Sequence, residues 1–407
     1  MLSPEMVQNP YAIYALLRGA NPVFRVPSPD TEGAGQFILT RYEDVQQVLR
    51  DARFSVDRGR SDFFMRNRDR LPPSIVAALL GEQGGLRSML VLDPPDHTRI
   101  RGLVSKAFTP RQVTRLRERI AELVRELLDS VEPNGRMDVM TELAAPLPAI
   151  VIADLLGVPR EDYAVFKAWA TDVVSVVGNP DPLGAIARAD AAMQGLLAYL
   201  GDIIAKRRRD PRDDLISAMI AAQEAHDALS DAELLATSNL LLLAGHETTT
   251  NLIGNGLYAL LRHPAELARL EREPALLKSA IDEMLRWDSP VQATFRIPTE
   301  EVALGGQILP KGALVIAAIG AANRDPAVFP DPDRFDVGRA DNRHLSFGFG
   351  VHFCLGAPLA RLEGELVFSA LLARLGKLEL ATEKPSYRPN MILRGLTSLP
   401  VTFAPRA

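Results

Sequence analysis

The chain has 407 residues, with 46 Lys and Arg against 51 Asp and Glu and a formal net charge of −5. Apolar residues make up 47% and charged residues 24%, which excludes wholesale disorder, and a mildly acidic balance without a basic block argues against nucleic acid as a partner. Cys354 is the only cysteine, so neither an intramolecular disulfide nor a cysteine cage for zinc can form.

The amino terminus, MLSPEMVQNPYAIY, lacks the charged and apolar regions of a signal peptide. The strongly apolar run Leu234 to Gly245 falls short of the ~20 residues a membrane span needs. A soluble, cytoplasmic protein without a membrane span is expected. Prolines and glycines are scattered and no internal repeat is visible, so a single domain over 1–407 is expected.

Gln36 to Thr40 reads as a strand, and Asp51 to Asp96 as a long polar, irregular stretch with Pro72-Pro73 and Gly84-Gly85. A loop of that length is usually functional. Helical periodicity dominates from Thr109 to Arg286; Val113, Leu116 and Ile120 share one face of a helix opening at Pro110. Ser230 and Glu233 fit a capping box, and nothing breaks the following helix before His263-Pro264. From Asp231 to Arg262 it spans roughly 48 Å at 1.5 Å per residue, so it must run through the body of the molecule. Past Pro290 come strand-like runs such as Ala313 to Ala318, a Pro/Asp-rich stretch from Asp325 to Gly338, a helix over Ala357 to Leu375 and two short strand-like segments. The expected fold is mainly α with small β-sheets and a long central helix.

The strongest chemical signal is Phe347-Gly-Phe-Gly-Val-His-Phe-Cys354-Leu-Gly356. Gly348, Gly350 and Gly356 permit tight turns and close approach of the backbone to a flat ligand. A helix opening at Ala357-Pro358 aims amides and its positive dipole end at the sulfur, which favours the thiolate. These residues resemble the haem-binding signature of the cytochrome P450 family: Phe347, Gly350, Cys354 and Gly356 match position for position, with His352 as in many soluble bacterial members. The resemblance extends from Asn9-Pro-Tyr-Ala to the carboxyl terminus and implies the P450 fold. It also implies haem b with Cys354 as the axial thiolate on iron, O2 as co-substrate, and reducing equivalents drawn indirectly from NAD(P)H. A thiolate ligand pushes electron density onto iron and favours O–O cleavage.

Ala244-Gly-His-Glu-Thr-Thr249 lies in the middle of the long helix. Leu240, Leu243, Ala244, Glu247, Thr248 and Asn251 are spaced by three and four and so fall on one face. A carboxylate and a hydroxyl at the end of an apolar stripe are unusual, because unpaired buried charge is costly. The resemblance implies that Thr248 hydrogen-bonds dioxygen and Glu247 relays protons, with Ala244 and Gly245 leaving room beside the haem. His246 is expected to satisfy a neighbour rather than to bind iron.

The same resemblance places Glu283 and Arg286, with Arg334 as third partner, in a structural network behind the cysteine loop. It makes His97, Arg101, Arg296 and His352 partners of the two haem carboxylates. His97 and Arg101 share a helical face, and arginine suits bidentate carboxylate binding. It assigns the substrate pocket to Phe63, Phe64, Met65 and Leu90 of the 51–96 loop, to Leu240 and Leu243, to Val291, Ala293 and Thr294, and to Ile392 and Leu393. Such apolar linings suit a hydrophobic small molecule, of fatty acid, terpenoid, steroid or polyketide class.

No dinucleotide fingerprint is present, since Phe353 stands where a third glycine would be needed after Gly348-Phe-Gly350. A separate ferredoxin and ferredoxin reductase are therefore expected to supply electrons to a monomeric monooxygenase, docking against a cationic patch of Arg99, Arg339, Arg343 and Arg361. The alternatives are an H2O2-dependent peroxygenase of the same fold and a non-enzymatic haem sensor or electron carrier.

Overall fold

A 32-residue helix, Asp231–Arg262, forms the axis of the structure. The structure is a computed structural model describing residues 4–27, 33–70, 76, 87–107, 110–175, 183–225 and 229–406. The capping box starts this helix as the sequence predicts: the Glu233 amide donates to the Ser230 hydroxyl at 3.2 Å, and the Ser230 amide donates to the Glu233 carboxylate at 2.8 Å. His263 ends it, because Pro264 opens the next helix, Pro264–Arg272, and lacks the amide needed to continue the first. The Pro146–Leu156, Tyr163–Val174, Leu183–Arg209, Leu277–Trp287 and Ala357–Arg374 helices pack around the axis. Leu242, Ile253, Leu257 and Leu260 of the axis join Leu147, Leu196, Met284 and Phe368 of these neighbours in one large apolar core.

Among the described residues, ten strands flank the helices: β1 (Val23–Arg25), β2 (Gln36–Leu39), β3 (Phe54–Ser55), β4 (Arg136–Asp138), β5 (Thr294–Pro298), β6 (Val302–Leu304), β7 (Gln307–Leu309), β8 (Leu314–Ala317), β9 (Leu375–Leu380) and β10 (Pro400–Pro405). The largest sheet runs β1-β2-β8-β5-β3, with β2 and β8 parallel and the other pairs antiparallel. Its own apolar cluster includes Phe37, Leu39, Val45, Val315 and Phe329. Arg296 sits opposite Val315 and Ser55 opposite Ile297, which fixes the cationic strand position beside the start of the 51–96 stretch.

The described first part of that stretch, residues 51–70, holds more regular structure than its composition suggests. Phe63, Phe64 and Met65 lie on a short helix, Asp62–Asn67, rather than in a loop. Asp62 pins it by donating its amide to Gly312 at 3.1 Å and accepting from the Ala34 amide at 3.1 Å. Pro72-Pro73 and Gly84-Gly85 lie outside the described residues. The helix opening at Pro110 continues to Val131, with Ile120 buried and Leu116 partly so, while the side chain of Val113 lies outside the description. Among the described residues, no helix is long and apolar enough to cross a membrane.

Candidate active site

The cysteine loop is shaped by its own backbone. The Cys354 amide donates to the Phe347 carbonyl at 2.8 Å, and that of Gly348 to Leu345 at 2.8 Å. Gly350 has φ +72°, and a Cβ there would stand 2.9 Å from the Leu49 carbonyl oxygen, so any other residue would be strained and would push the loop off the Tyr42–Arg50 helix. The Phe347 ring lies beneath the Arg361 guanidinium, 4.5 Å away, and beside Phe353.

Cys354 keeps an exposed surface although protein surrounds its thiol on most sides. Burial pushes the thiol above its ordinary range; the Gly356 amide, Arg101, the Ala357 amide and Arg361 pull it back. The helix terminus alone therefore does not make a thiolate here. A metal cation in front of the sulfur deprotonates such a thiol outright.

Four donors converge near this sulfur. His97 and Arg101 stand one turn apart on the Asp96–Ala107 helix, and the His97 ring lies 4.1 Å from that of His352. Arg101 donates to the Phe353 carbonyl. Arg296 is buried on β5 and, among the described residues, donates to its neighbours alone, the Phe295 carbonyl at 2.8 Å and the Thr294 hydroxyl at 3.4 Å. Burial, helped by His97, Arg296 and Arg101, drives His352 down to about 3, and burial lowers Arg296 to about 10. His97 is likewise lowered by burial and then by Arg101, and its buried Nδ1 has no partner among the described residues.

Among the described residues, the only carboxylate influencing the two histidines and Arg296 is Asp93, which is already engaged by the Ser55 hydroxyl and the Val56 amide. Two arginines and two neutral imidazoles gathered without an acid of their own are costly. A ligand bearing two carboxylates beside an iron satisfies them, which fits haem b.

The central helix opens one window. Leu240 and Leu243 are partly accessible, Ala244 is exposed and Thr248 half-buried, while Leu241, Leu242, His246 and Glu247 are buried. The Thr248 hydroxyl donates to the Ala244 carbonyl at 2.9 Å. Gly245 does not face the window: a Cβ there would meet Ile152 at 3.3 Å, so its smallness serves helix packing. Glu247 and Asn251 also leave the expected face. Both engage Arg388, Glu247 through a close ion pair and Asn251 by accepting at 2.8 Å. His246 is held neutral, lowered to about 4 chiefly by burial, and one ring nitrogen meets the Ala145 backbone.

Behind the loop, Glu283 and Arg286 form a fully buried bidentate pair at 2.7 and 2.8 Å. The expectation for Arg334 is corrected. Its side chain is 61% exposed and among the described residues reaches only Asp336, at 3.9 Å, while its carbonyl accepts from Arg286 and Arg339. Arg339 is the third side chain, 3.1 Å from Glu283, and Asn342 donates to the same carboxylate at 3.2 Å. The irregular 325–338 backbone has no period from which side-chain direction could be read.

Among the pocket residues, Val291 and Leu393 pair in an isolated bridge, and the Gln292 amide donates to Ile392 at 2.8 Å, bringing the two segments together. Ala293 is buried and Thr294 half-buried beside them. Phe64 stands edge-on to Phe63 and to Phe295 of β5. Met65 is half-buried, and Leu90 is exposed on the Met89–Val91 turn.

Asn342, Arg388 and Glu363 escaped the sequence reading, which had set Arg339 in the cationic docking patch rather than against Glu283. Glu363 alone left a trace, a carboxylate set among Leu362, Leu366 and Val367. It is buried against Thr249 and pushed up by burial to about 8.

A mainly helical fold with a lone cysteine near two arginines and two histidines whose one neighbouring carboxylate among the described residues, Asp93, is engaged elsewhere, and with a helix window, defines a haem-thiolate protein. The profile described as Cytochrome P450 matches residues 32–402. The chain is 42% identical over 408 residues to the P450 monooxygenase PikC of Streptomyces venezuelae, covering 99% of this chain and 93% of that one. It is 41% identical to the vitamin D(3) 25-hydroxylase of Pseudonocardia autotrophica, covering 100% and 97%. The solved structure of CYP109E1 from Bacillus megaterium in complex with testosterone superposes with a TM-score of 0.87 at 36% identity, covering 98% of this chain and 99% of that one. The chain belongs to the cytochrome P450 family. It is a monooxygenase that uses haem b, O2 and NAD(P)H-derived electrons delivered through redox partners.

Proposed function

We propose that this enzyme oxidises a neutral, largely apolar molecule of steroid or polyketide size, with electrons from a ferredoxin and its reductase. The observation that carries the reading is the window on the central helix. Leu240, Leu243 and Ala244 are its apolar surface, and Thr248 is its one hydroxyl. Of the other residues assigned to the pocket, only Thr294 is polar and none is ionisable. Such a lining offers burial of apolar area but no counter-charge. Two similar proteins, one named for vitamin D3 and one solved with testosterone, support a neutral ligand, while another, solved with myristic acid, makes the fatty acid the discriminating arm of the test.

In this reading Cys354 would hold the haem iron through its sulfur, and His97, Arg101, Arg296 and His352 would hold the haem carboxylates. Phe347, Gly350 and Gly356 shape the loop that presents the sulfur. Bound haem supplies the iron at which one atom of O2 is transferred to substrate and the other is reduced to water. Thr248 holds a proton at Oγ1 on the window, and Glu247 exchanges protons with solvent on the Arg388 side. The single chain acts as one cytoplasmic, monomeric domain.

The test is titration of the haem-loaded protein with a steroid, a secosteroid, a macrolactone and a fatty acid, following the low-to-high spin shift. The neutral polycyclic or macrocyclic ligands should shift the haem and then support coupled NADH consumption with a ferredoxin system. A response to the fatty acid alone would overturn the neutral-ligand reading. Turnover with H2O2 but none with the ferredoxin system would favour a peroxygenase.

A further inference from the structure

Among the described residues, two cations bear on the Cys354 thiol, Arg101 and Arg361. Arg101 belongs to the cluster with His97, Arg296 and His352, whose charge the haem carboxylates balance. Arg361 stands apart from that cluster, one turn into the Ala357–Arg374 helix, and bears on neither histidine. Its guanidinium carbon lies 4.5 Å from the centre of the Phe347 ring, so the cation faces the loop that presents the sulfur. Nε of the same group donates to Asp282 Oδ1 at 2.9 Å.

Asp282 comes from the Leu277–Trp287 helix and is held from a second side. His344 Nδ1 accepts from the Ser346 amide at 3.2 Å, which leaves Nε2 to donate to Asp282 Oδ1 at 3.3 Å. The His344 ring is tilted against Phe347, with centroids 5.8 Å apart. Its side chain is 3% accessible, against 32% for Asp282 and 40% for Arg361. A buried imidazole thus fixes the carboxylate independently of Arg361. Burial pushes the Asp282 carboxyl up, but His344 and Arg361 outweigh it and hold it below its ordinary range, so it is an anion at neutral pH. A cation over the Phe347 face draws electron density from the sulfur and favours reduced iron, and the anion behind it offsets that pull.

We infer that Asp282 and Arg361 form a charge pair that sets the reduction potential of the bound haem, Arg361 raising it and Asp282 lowering it. Both are positioning residues, acting through Phe347 and the Cys354 sulfur rather than on substrate. The inference rests on Cys354 as the ligand of iron.

The test is a spectroelectrochemical titration of the haem-loaded protein at low salt, without substrate. The variants are Arg361→Gln, Arg361→Lys, Asp282→Asn and the Arg361→Gln/Asp282→Asn double. Asparagine keeps an oxygen for His344 and Arg361 while removing the charge. The spectrum of the reduced, CO-bound protein, taken alongside, reports thiolate ligation. Arg361→Gln should lower the equilibrium constant for reduction about threefold and Asp282→Asn should raise it about threefold, each roughly 28 mV at about 59 mV per tenfold for one electron. The effect is modest because both groups are partly exposed, and ~1 M salt should shrink it further. Arg361→Lys should keep the wild-type potential, and the double variant should return to it.

Shifts of the same sign in the two single variants at full haem content would reveal a loosened cysteine loop and overturn the charge pair, as would unchanged potentials. Should Asp282→Asn fail to retain haem, Arg361→Gln against Arg361→Lys decides alone, and equal potentials in those two would overturn the inference. A wild-type CO complex without the red-shifted Soret band of thiolate ligation would instead overturn Cys354 as the ligand, and the pair with it.

Discussion

Thr248 and Glu363 carry protons in opposite surroundings, and each makes a separate prediction. Thr248 faces the window and uses its hydroxyl hydrogen on its own helix. Thr248→Ala should therefore leave haem content and the substrate-induced spin shift intact while lowering product formed per NADH and raising H2O2. Unchanged coupling would remove Thr248 from the chemistry. Glu363 is buried with one hydroxyl partner, Thr249, and burial raises it from 4.5 to about 8. Below 4.5 both folded and unfolded chains keep the proton. Between 4.5 and about 8 only the folded chain keeps it, so stability from this group falls as pH rises and is gone above about 8. The full difference is on the order of a few kcal/mol. Urea midpoints near pH ~5 and pH ~9 should differ more in wild type than in Glu363→Gln, which has no proton to lose. Equal pH slopes in the two proteins would show that Glu363 ionises normally.

At the scale of elements, the Leu277–Trp287 helix and the irregular segment after it are bound through one carboxylate. Glu283 receives Arg286, Arg339, Asn342 and the Asp336 amide. Arg286 passes on to the carbonyls of Asn323, Pro332 and Arg334. Removing the carboxylate leaves two buried guanidinium groups unpaired, a loss of roughly 3–5 kcal/mol. Glu283→Ala and Arg339→Ala should lower the melting temperature and haem content, whereas Arg334→Ala should do neither, its side chain being exposed. A destabilised Arg334→Ala would contradict this assignment. The contrast also shows where sequence reading stops. The Asp231–Arg262 helix was legible to the residue because a capping box and a proline bound it. The cysteine loop was legible because its glycines and aromatic residues stand at fixed offsets. Which arginine meets Glu283 was not, since the intervening backbone has no period. Helical spacing grouped Glu247 and Thr248 on one broad face, although neighbours on a helix stand about 100° apart, and it could not foresee Arg388, which arrives from a distant segment and pairs with Glu247.

Across the whole molecule, charge is organised mainly by pairing, and this bears on electron delivery. Asp288 is one example: buried, it receives Arg394 and Tyr11 at 2.6 Å and Tyr387 at 2.7 Å, while Arg394 also donates to the Val7 and Gln8 carbonyls, tying both ends of the chain to the core. The arginines expected to greet an acidic ferredoxin follow the same rule. Arg339 is committed to Glu283 and Arg99 to Glu233. Arg343 lies 2.9 Å from Asp341, and Arg361 lies 2.9 Å from Asp282. Their near fields are therefore largely cancelled, in a chain whose net charge is −5. Steering by such a surface should be modest, because opposite patches raise the on-rate only where charge is left over. As ionic strength rises from ~0.1 to ~1 M, the screening length falls from about 10 to about 3 Å. Over that range haem reduction by a ferredoxin should slow by no more than a few-fold. Arg343→Glu should slow it more than salt does, since it replaces a cation by an anion and leaves Asp341 unpaired beside it. A reduction rate that collapses with salt in wild type would show an uncompensated cationic patch. A rate indifferent to Arg343→Glu at full haem content would place the docking surface elsewhere.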